Sequence, residues 1–331
     1  MKIASLSRSI LFITVCLLST GVRISSAEKN EWLDRLIPLP KEIRIDGAVT
    51  VAVKDIAIRV SPGAGQDERA AAGELATLFG ADVVTKAAAG KTEIVIGVLD
   101  KNDAIGGQSF EKEAARLRAL PNAEQAYVIR HVASKTIVLS ALDSQGVWNA
   151  VRTFRQLVES RIEGGRIALP LLEVTDWPDI AWRGMWDDTF PAEHIAWMAS
   201  MKMNLVDCLT SLSVDDNGHG IVKNVPSKGP TAVGDLPFPS YCRSIGVHFV
   251  PVIMHLSHLK RTGIYEKYPD LIGIGEPEDK RFIPPCAKRP ELAMVIADWM
   301  EGLAARPDVD EISVWLSEVD HQCQCEECRA A

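Results

Sequence analysis

The chain has 331 residues, of which 47% are hydrophobic and 24% are charged, and its formal net charge is −8 at pH 7. This length is sufficient for two domains with separate cores, and the composition is that of a globular protein rather than a disordered or fibrous one. The acidic excess is dispersed along the chain, which disfavours nucleic-acid binding because such binding needs concentrated positive charge.

The first 27 residues have the pattern of a secretory signal peptide. Lys2 and Arg8 precede an apolar run at 10–18, and small residues at 25–27 offer a cleavage site. The run is shorter than the ~20 residues that a membrane-spanning helix needs, so an uncleaved anchor is the weaker alternative. No later segment is long and apolar enough to span a membrane. The sequence therefore predicts an exported protein, periplasmic or extracellular, with 1–27 removed.

Residues 31–175 contain short apolar runs and two helical segments. Asp67 and Asp143 stand where they can cap helices predicted at 70–79 and 145–159. Strands are predicted at residues 42–45, 49–53, 56–60, 93–98, 126–132 and 136–140. This arrangement predicts a small α+β layered domain, and it contains no cluster of catalytic residue types.

From residue 176 to 331 the pattern changes to a regular alternation of strands and helices. Strands are predicted at residues 180–186, 204–209, 247–254 and 312–316, and helices at residues 191–202, 236–245 and 291–305. Such alternation predicts a parallel sheet and a (β/α) TIM-type barrel. A complete barrel takes ~250 residues, so only about the first four β/α units fit. We therefore expect the first half of a barrel, from a longer gene product or a truncated reading frame.

Polar side chains collect where the predicted strands of the second domain end. Glu318 and Asp320 follow the fourth strand, and they share one face because side chains alternate along an extended chain. Asp187 ends the first strand beside Trp186, and His258 follows the third. Since the carboxyl ends of barrel strands carry the chemistry of such folds, these residues are candidates for an active site.

Three cysteines follow the two acids closely: Cys323, Cys325 and Cys328. Together with His321 or Cys286 they can form a closed tetrahedral zinc site. Export favours disulfides instead, with Cys286 or Cys242 as the more distant partner, because neighbouring cysteines this close cannot all pair with one another. Zinc, disulfides and free thiols all remain open, and the sequence predicts no other cofactor.

Four stretches in order along the chain resemble glycoside hydrolase family 20, the β-N-acetylhexosaminidases: residues 143–157, 176–185, 198–205 and 245–258. The resemblance implies an N-terminal α+β domain followed by a catalytic barrel. It also implies that Arg183 holds sugar hydroxyls, that His258 lines the sugar pocket and that Glu318 is the general acid. The alternative for Arg183 is an ion pair with Asp187 or Asp188. We expect Trp186 and Asp187 to complete the substrate-binding set, since amphipathic aromatic rings can stack on sugars.

The sequence departs from the family immediately before Glu318. Where the family has Gly-Gly-Asp, this chain has Trp315, Leu316 and Ser317. The family's aspartate orients the acetamide group of the substrate, which attacks the anomeric carbon in place of an enzyme nucleophile. Ser317 has no charge with which to do this, and Asp320 is the candidate replacement.

The leading functional prediction is an exported glycoside hydrolase, or its N-terminal fragment, that cleaves terminal sugars such as N-acetylhexosamines from glycans. The alternative is a catalytically inactive carbohydrate-binding protein with a cysteine-stapled or zinc-bound loop. A metal-binding structural protein is the third hypothesis. In the first two, the partner is a glycan.

Overall fold

The computed structural model describes residues 31–187, 189, 191–275, 282–316 and 322–330, with only the backbone of Asp187. Within these ranges, no helix combines the length and the apolar character that crossing a membrane requires. The elements form two successive parts, a mixed sheet with helices and then a parallel sheet with helices.

The first part is built on an eight-stranded sheet. Its main strands are β1 (Glu42–Ala52), β2 (Ile56–Val60), β3 (Val83–Val84), β4 (Thr92–Val98), β7 (Tyr127–Ala133), β8 (Thr136–Ala141) and β10 (Arg166–Asp176). They lie in the order β1-β10-β7-β8-β4-β2-β3, and β9 (Ile162–Glu163) pairs with β10. A short hairpin, β5 (Ala104–Ile105) with β6 (Gln108–Ser109), stands apart. The predicted α+β architecture is confirmed for this part.

Strand β1 is continuous where the sequence predicted two strands. It pairs with β10 from Glu42 opposite Thr175 to Ala52 opposite Arg166, and the register shifts between Ile45 and Gly47. A bulge of this kind accommodates one extra residue without ending the ladder. Residues 46–48, which separated the two predicted strands, therefore lie within one strand.

Three helices accompany this sheet: α1 (Gln66–Phe79), α2 (Glu111–Arg118) and α3 (Ser144–Val158). Asp143 caps α3 as predicted, because its carboxylate accepts a hydrogen bond from the Gln145 amide at 3.4 Å. The cap predicted for α1 at Asp67 is wrong. Gly65 occupies that position, and its amide donates to the Glu68 carboxylate at 2.8 Å.

The second part contains a four-stranded parallel sheet in the order β11-β12-β17-β18. These strands are β11 (Gly184–Asp187), β12 (Leu205–Leu209), β17 (His248–Ile253) and β18 (Ser313–Val314). Helices α4 (Ala192–Ser200), α5 (Phe238–Ser244) and α7 (Pro290–Ala304) lie between successive strands, with a short α6 (Ile264–Lys267) after β17. The predicted β/α alternation is confirmed over the described residues.

Two hairpins are inserted between β12 and α5. They are formed by β13 (Ser211–Val214) with β14 (Gly220–Asn224) and by β15 (Ala232–Val233) with β16 (Leu236–Pro237). One hydrophobic core fills the second part and includes the fully buried Trp299 of α7. This core packs against the parallel sheet. Because its four strands are parallel, they all end at a common carboxyl edge.

Candidate functional site

Five aromatic rings form a row along the carboxyl edge of the parallel sheet, in which each ring contacts the next. We call them the aromatic cluster: Trp186, Trp315, His255, His258 and Phe282. The rings of Trp186 and Trp315 meet edge to face, with centroids 5.3 Å apart. His255 lies 4.9 Å from Trp315 and 5.3 Å from His258. The His258 ring in turn stacks on Phe282 at 4.6 Å. Trp186 remains 58% exposed, so its ring is available to a ligand.

Backbone hydrogen bonds hold this edge together. The Trp315 amide donates to the Ile253 carbonyl at 3.1 Å, and the Leu256 amide donates to the Leu316 carbonyl at 3.0 Å. His258 lies in a 3₁₀ helix, Leu256–Thr262, that begins directly after β17. The ends of β17 and β18 are thereby fixed side by side, which brings rings distant in sequence into one row.

The two predicted acids, Glu318 and Asp320, lie outside the described residues, and so does the side chain of Asp187. The residues on either side of 317–321 are described. Leu316 and Gln322 both line a pocket of about 390 Å³ that also includes Leu256, Leu292 and Cys323. The segment that carries the predicted acids is thus bounded at both ends by the same pocket.

Arg183 lies at the opposite end of its strand. Its guanidinium donates to the Lys202 carbonyl at 2.9 and 3.1 Å, to the Gln125 side chain at 2.8 Å, and to two backbone carbonyls at residues 180 and 181. These hydrogen bonds use nearly all of its donors on protein acceptors at the amino end of β11. The bond to Gln125 links the two parts of the chain, and the expected role of Arg183 in holding sugar hydroxyls stays a prediction.

Asp207 is a candidate functional residue that the sequence analysis missed. It stands in β12 between Val206 and Cys208, which are fully buried, so alternation turns it to the other face of the sheet. Burial and the nearby Glu311 raise the pKa of its carboxyl, and His248 lowers it. The alternation of residues 205–209 was the signal that could have found it.

The cysteines form a second constellation, which we call the cysteine cluster: Cys286, Cys323, Cys325 and Cys328. Their Sγ atoms all lie within 4.8 Å of one another. No disulfide joins any of the six described cysteines, and Cys242, one of the predicted partners, lies in the core near Cys208. The predicted partner that joins the group is therefore Cys286, while His321 lies outside the described residues.

The thiols of the cysteine cluster differ in acidity. Burial raises the pKa of Cys323, but the amides of Cys325 and Ile274, together with the neighbouring thiols, outweigh it and bring the pKa down to about 7. Burial and the neighbouring thiols raise the pKa of Cys328 to about 12. Four thiols this close together can bind a cation once they have lost their protons.

Comparison with known proteins identifies the family that the chain resembles. Residues 34–177 match the sequence model for glycosyl hydrolase family 20, domain 2. No curated protein matches the chain significantly.

Solved structures show the same fold. A chitobiase from Flavobacterium johnsoniae has 14% identity and a TM-score of 0.57, over 86% of this chain and 44% of the chitobiase. A β-N-acetylhexosaminidase from Bacteroides fragilis has 18% identity and a TM-score of 0.56, over 89% of this chain and 59% of the enzyme. The chain thus spans about half the length of these relatives.

Proposed function

Because the chain is glycoside hydrolase family 20-like, we propose that it is an exported glycoside hydrolase, or the N-terminal part of one, that removes terminal sugars from glycans. N-acetylhexosamines are the proposed sugars, by analogy with the enzymes whose fold it shares. The observation that carries the proposal is the aromatic cluster at the carboxyl edge of the parallel sheet, whose Trp315 stands shortly before Glu318 and Asp320 in the sequence.

Each residue of the proposed site has a chemical role. Glu318 donates a proton to the glycosidic oxygen, and Asp320 stabilises the positive charge that develops on the sugar. Trp186 stacks on a sugar face, while His258 and Asp187 bind sugar hydroxyls. Leu256, Leu292 and Leu316 line the pocket beside residues 317–321, and apolar surroundings of this kind raise the pKa of a carboxylic acid placed in them.

The second candidate function is carbohydrate binding without hydrolysis. It is favoured by Ser317, which carries no charge at the position of the family's acetamide-orienting aspartate. The exposed ring of Trp186 serves a binding protein as well as an enzyme. In both functions the cysteine cluster holds the loop that follows the acids.

The experiment compares hydrolysis and oligosaccharide binding by the wild-type protein and by variants of it. We expect hydrolysis of an aryl N-acetyl-β-glucosaminide to fall about 10²–10⁴-fold in Glu318→Gln, with oligosaccharide binding retained. Glu311→Gln is the matched control, since Glu311 is an exposed acid that pairs with His248 at the amino end. Turnover that survives Glu318→Gln would remove that residue's role. Binding without any hydrolysis in the wild type would establish the second function.

A further inference from the structure

The cysteine cluster has the dimensions of a metal site. Cys286 Sγ lies 3.8 Å from Cys325 Sγ and 3.8 Å from Cys328 Sγ. Zinc binds thiolates at about 2.3 Å, so the sulfurs of a tetrahedral zinc site lie about 3.8 Å apart. A disulfide needs a single partner at about 2.05 Å, whereas Cys286 is equally distant from two sulfurs. The arrangement therefore fits one shared ion better than two separate pairs.

Backbone amides point at the sulfurs. The Ile274 amide donates to Cys323 Sγ at 3.4 Å, and the Cys328 amide donates to Cys325 Sγ at 3.4 Å. The amides of Lys288 and Cys325 also donate to the thiols of Cys286 and Cys323. Hydrogen bonds from N–H groups stabilise sulfur in its charged form, the form that binds metals. Three of the four sulfurs thus have such a donor.

The backbone around the cluster is tightly interlocked. The Gly273 amide donates to the Pro284 carbonyl at 2.9 Å, and the Gln324 amide donates to the Ile274 carbonyl at 2.7 Å. A Cβ atom at Gly273 would lie 2.5 Å from that Pro284 carbonyl oxygen and 3.1 Å from Cβ of Cys323. Three chain segments therefore approach so closely that only glycine fits at this position, and together they position the four sulfurs.

We propose that Cys286, Cys323, Cys325 and Cys328 bind one zinc ion in a closed structural site. Four thiolates leave no open position for substrate or water, so the ion stabilises the fold and takes no part in catalysis. This inference does not depend on the proposed hydrolase function.

The first test is the metal content of the purified full chain. We expect one zinc per chain by elemental analysis, with the cluster thiols protected from a thiol reagent until a chelator is added. Intact mass must equal that of the fully reduced polypeptide in denaturant. Absence of zinc together with the loss of two hydrogens per disulfide overturns the proposal, and so does stoichiometric iron in place of zinc.

Variants identify the ligands. Cys286→Ser should lose most of its zinc, whereas Cys242→Ala, which removes a buried thiol outside the cluster, should keep one ion per chain. His321→Ala should also keep the ion. Zinc retained in Cys286→Ser, or lost in His321→Ala, contradicts the proposed ligand set.

Cobalt(II) substitution keeps the test decisive if Cys286→Ser fails to fold. The wild-type chain loaded with cobalt should show the intense sulfur-to-metal charge-transfer and visible bands of a tetrahedral site with four thiolates. A spectrum with three sulfurs and one nitrogen, or an octahedral spectrum, overturns the assignment.

Discussion

Trp148 of α3 packs directly against the backbone of Gly246, the turn residue that leads into β17. A Cβ atom at Gly246 would lie 2.5 Å from Cδ1 of the Trp148 ring, and the residue has a left-handed φ of +64°. One turn along α3, the buried Arg152 donates a hydrogen bond to the Ile245 carbonyl. The first domain thus packs against the parallel sheet at the turn that precedes β17.

Gly246→Ala should therefore destabilise the protein by about 3 kcal/mol, because overpacking adds to the cost of a left-handed backbone. Gly234→Ala is the control, since Gly234 has φ +58° but no atom within 4 Å of the added methyl. It should cost only about 1 kcal/mol, the backbone contribution alone. Urea unfolding of the two variants measures the difference, and equal losses would contradict close packing at Trp148.

Lys202 should make stability depend on pH above neutrality. It is only 4% exposed, and its ammonium donates to the Pro38 carbonyl at 3.2 Å. Burial lowers its pKa from 10.5 to about 8, Asp176 opposes this, and Arg152 and Arg183 add to it. Between pH 8 and 10.5 the unfolded chain binds a proton that the folded chain lacks. The Lys202 contribution to the free energy of unfolding therefore rises with pH through this window, by about 3 kcal/mol in total.

The measurement is the free energy of unfolding of the wild type and of Lys202→Met at intervals from pH 7 to pH 10. The difference between the two isolates Lys202 from tyrosines and cysteines that titrate in the same range. We expect the free energy of unfolding of the wild type to increase relative to that of Lys202→Met as the pH rises above 8. A difference in the free energy of unfolding that stays constant with pH would show that Lys202 has the same pKa in the folded and the unfolded chain.

Arg183→Met should cost stability rather than glycan binding. It removes five hydrogen bonds at the junction of the two parts, so we expect a loss of about 3 kcal/mol. Arg166→Met is the control, because the exposed Arg166 donates one hydrogen bond, to the Thr50 carbonyl at 3.3 Å. Oligosaccharide affinity per folded molecule should be unchanged in both, and a selective loss of affinity in Arg183→Met would support the sugar-binding role that the sequence predicted for it.

Trp186 and Trp197 form a matched pair for testing the aromatic cluster, since each is 58% exposed. Trp186 lies at the carboxyl edge, whereas Trp197 lies on α4. Trp186→Ala should weaken N-acetylglucosamine oligosaccharide binding about 10-fold, the loss of a stacking contact of about 1.4 kcal/mol. Trp197→Ala should bind as the wild type does in the same calorimetric titration. Equal effects of the two changes would place the sugar elsewhere.

The sequence predicted the order of strands and helices well because apolar periodicity and capping residues are local signals. Arg183 shows where such signals end. The predicted strand 180–186 has Arg183 in its middle, but β11 begins only at Gly184. The Arg183 amide donates a hydrogen bond to the side chain of Asn204 and not to a neighbouring strand. Its guanidinium then turns back toward Lys202. That choice depends on contacts between distant residues, which periodicity cannot reveal.

The cysteine cluster shows a similar limit. The spacing of Cys323, Cys325 and Cys328 predicted a shared site. It left open whether His321 or the distant Cys286 is the fourth member. Cys286 is brought to the cluster by the pairing of residues 272 and 285 and by the hydrogen bond from its own amide to the Leu271 carbonyl at 2.8 Å. Asp207, in contrast, was visible in the alternation of its strand but had no neighbouring motif to draw attention to it.

Cys286 and Cys325 are 39 residues apart, and α7 and β18 lie between them. An ion that binds both closes this stretch into a ring and reduces the chain entropy of its unfolded state. Helix α7 and strand β18 then become one cooperative unit, which opens as a whole or not at all. Amide hydrogen exchange should accordingly show a common protection for both elements that drops together when the metal is removed.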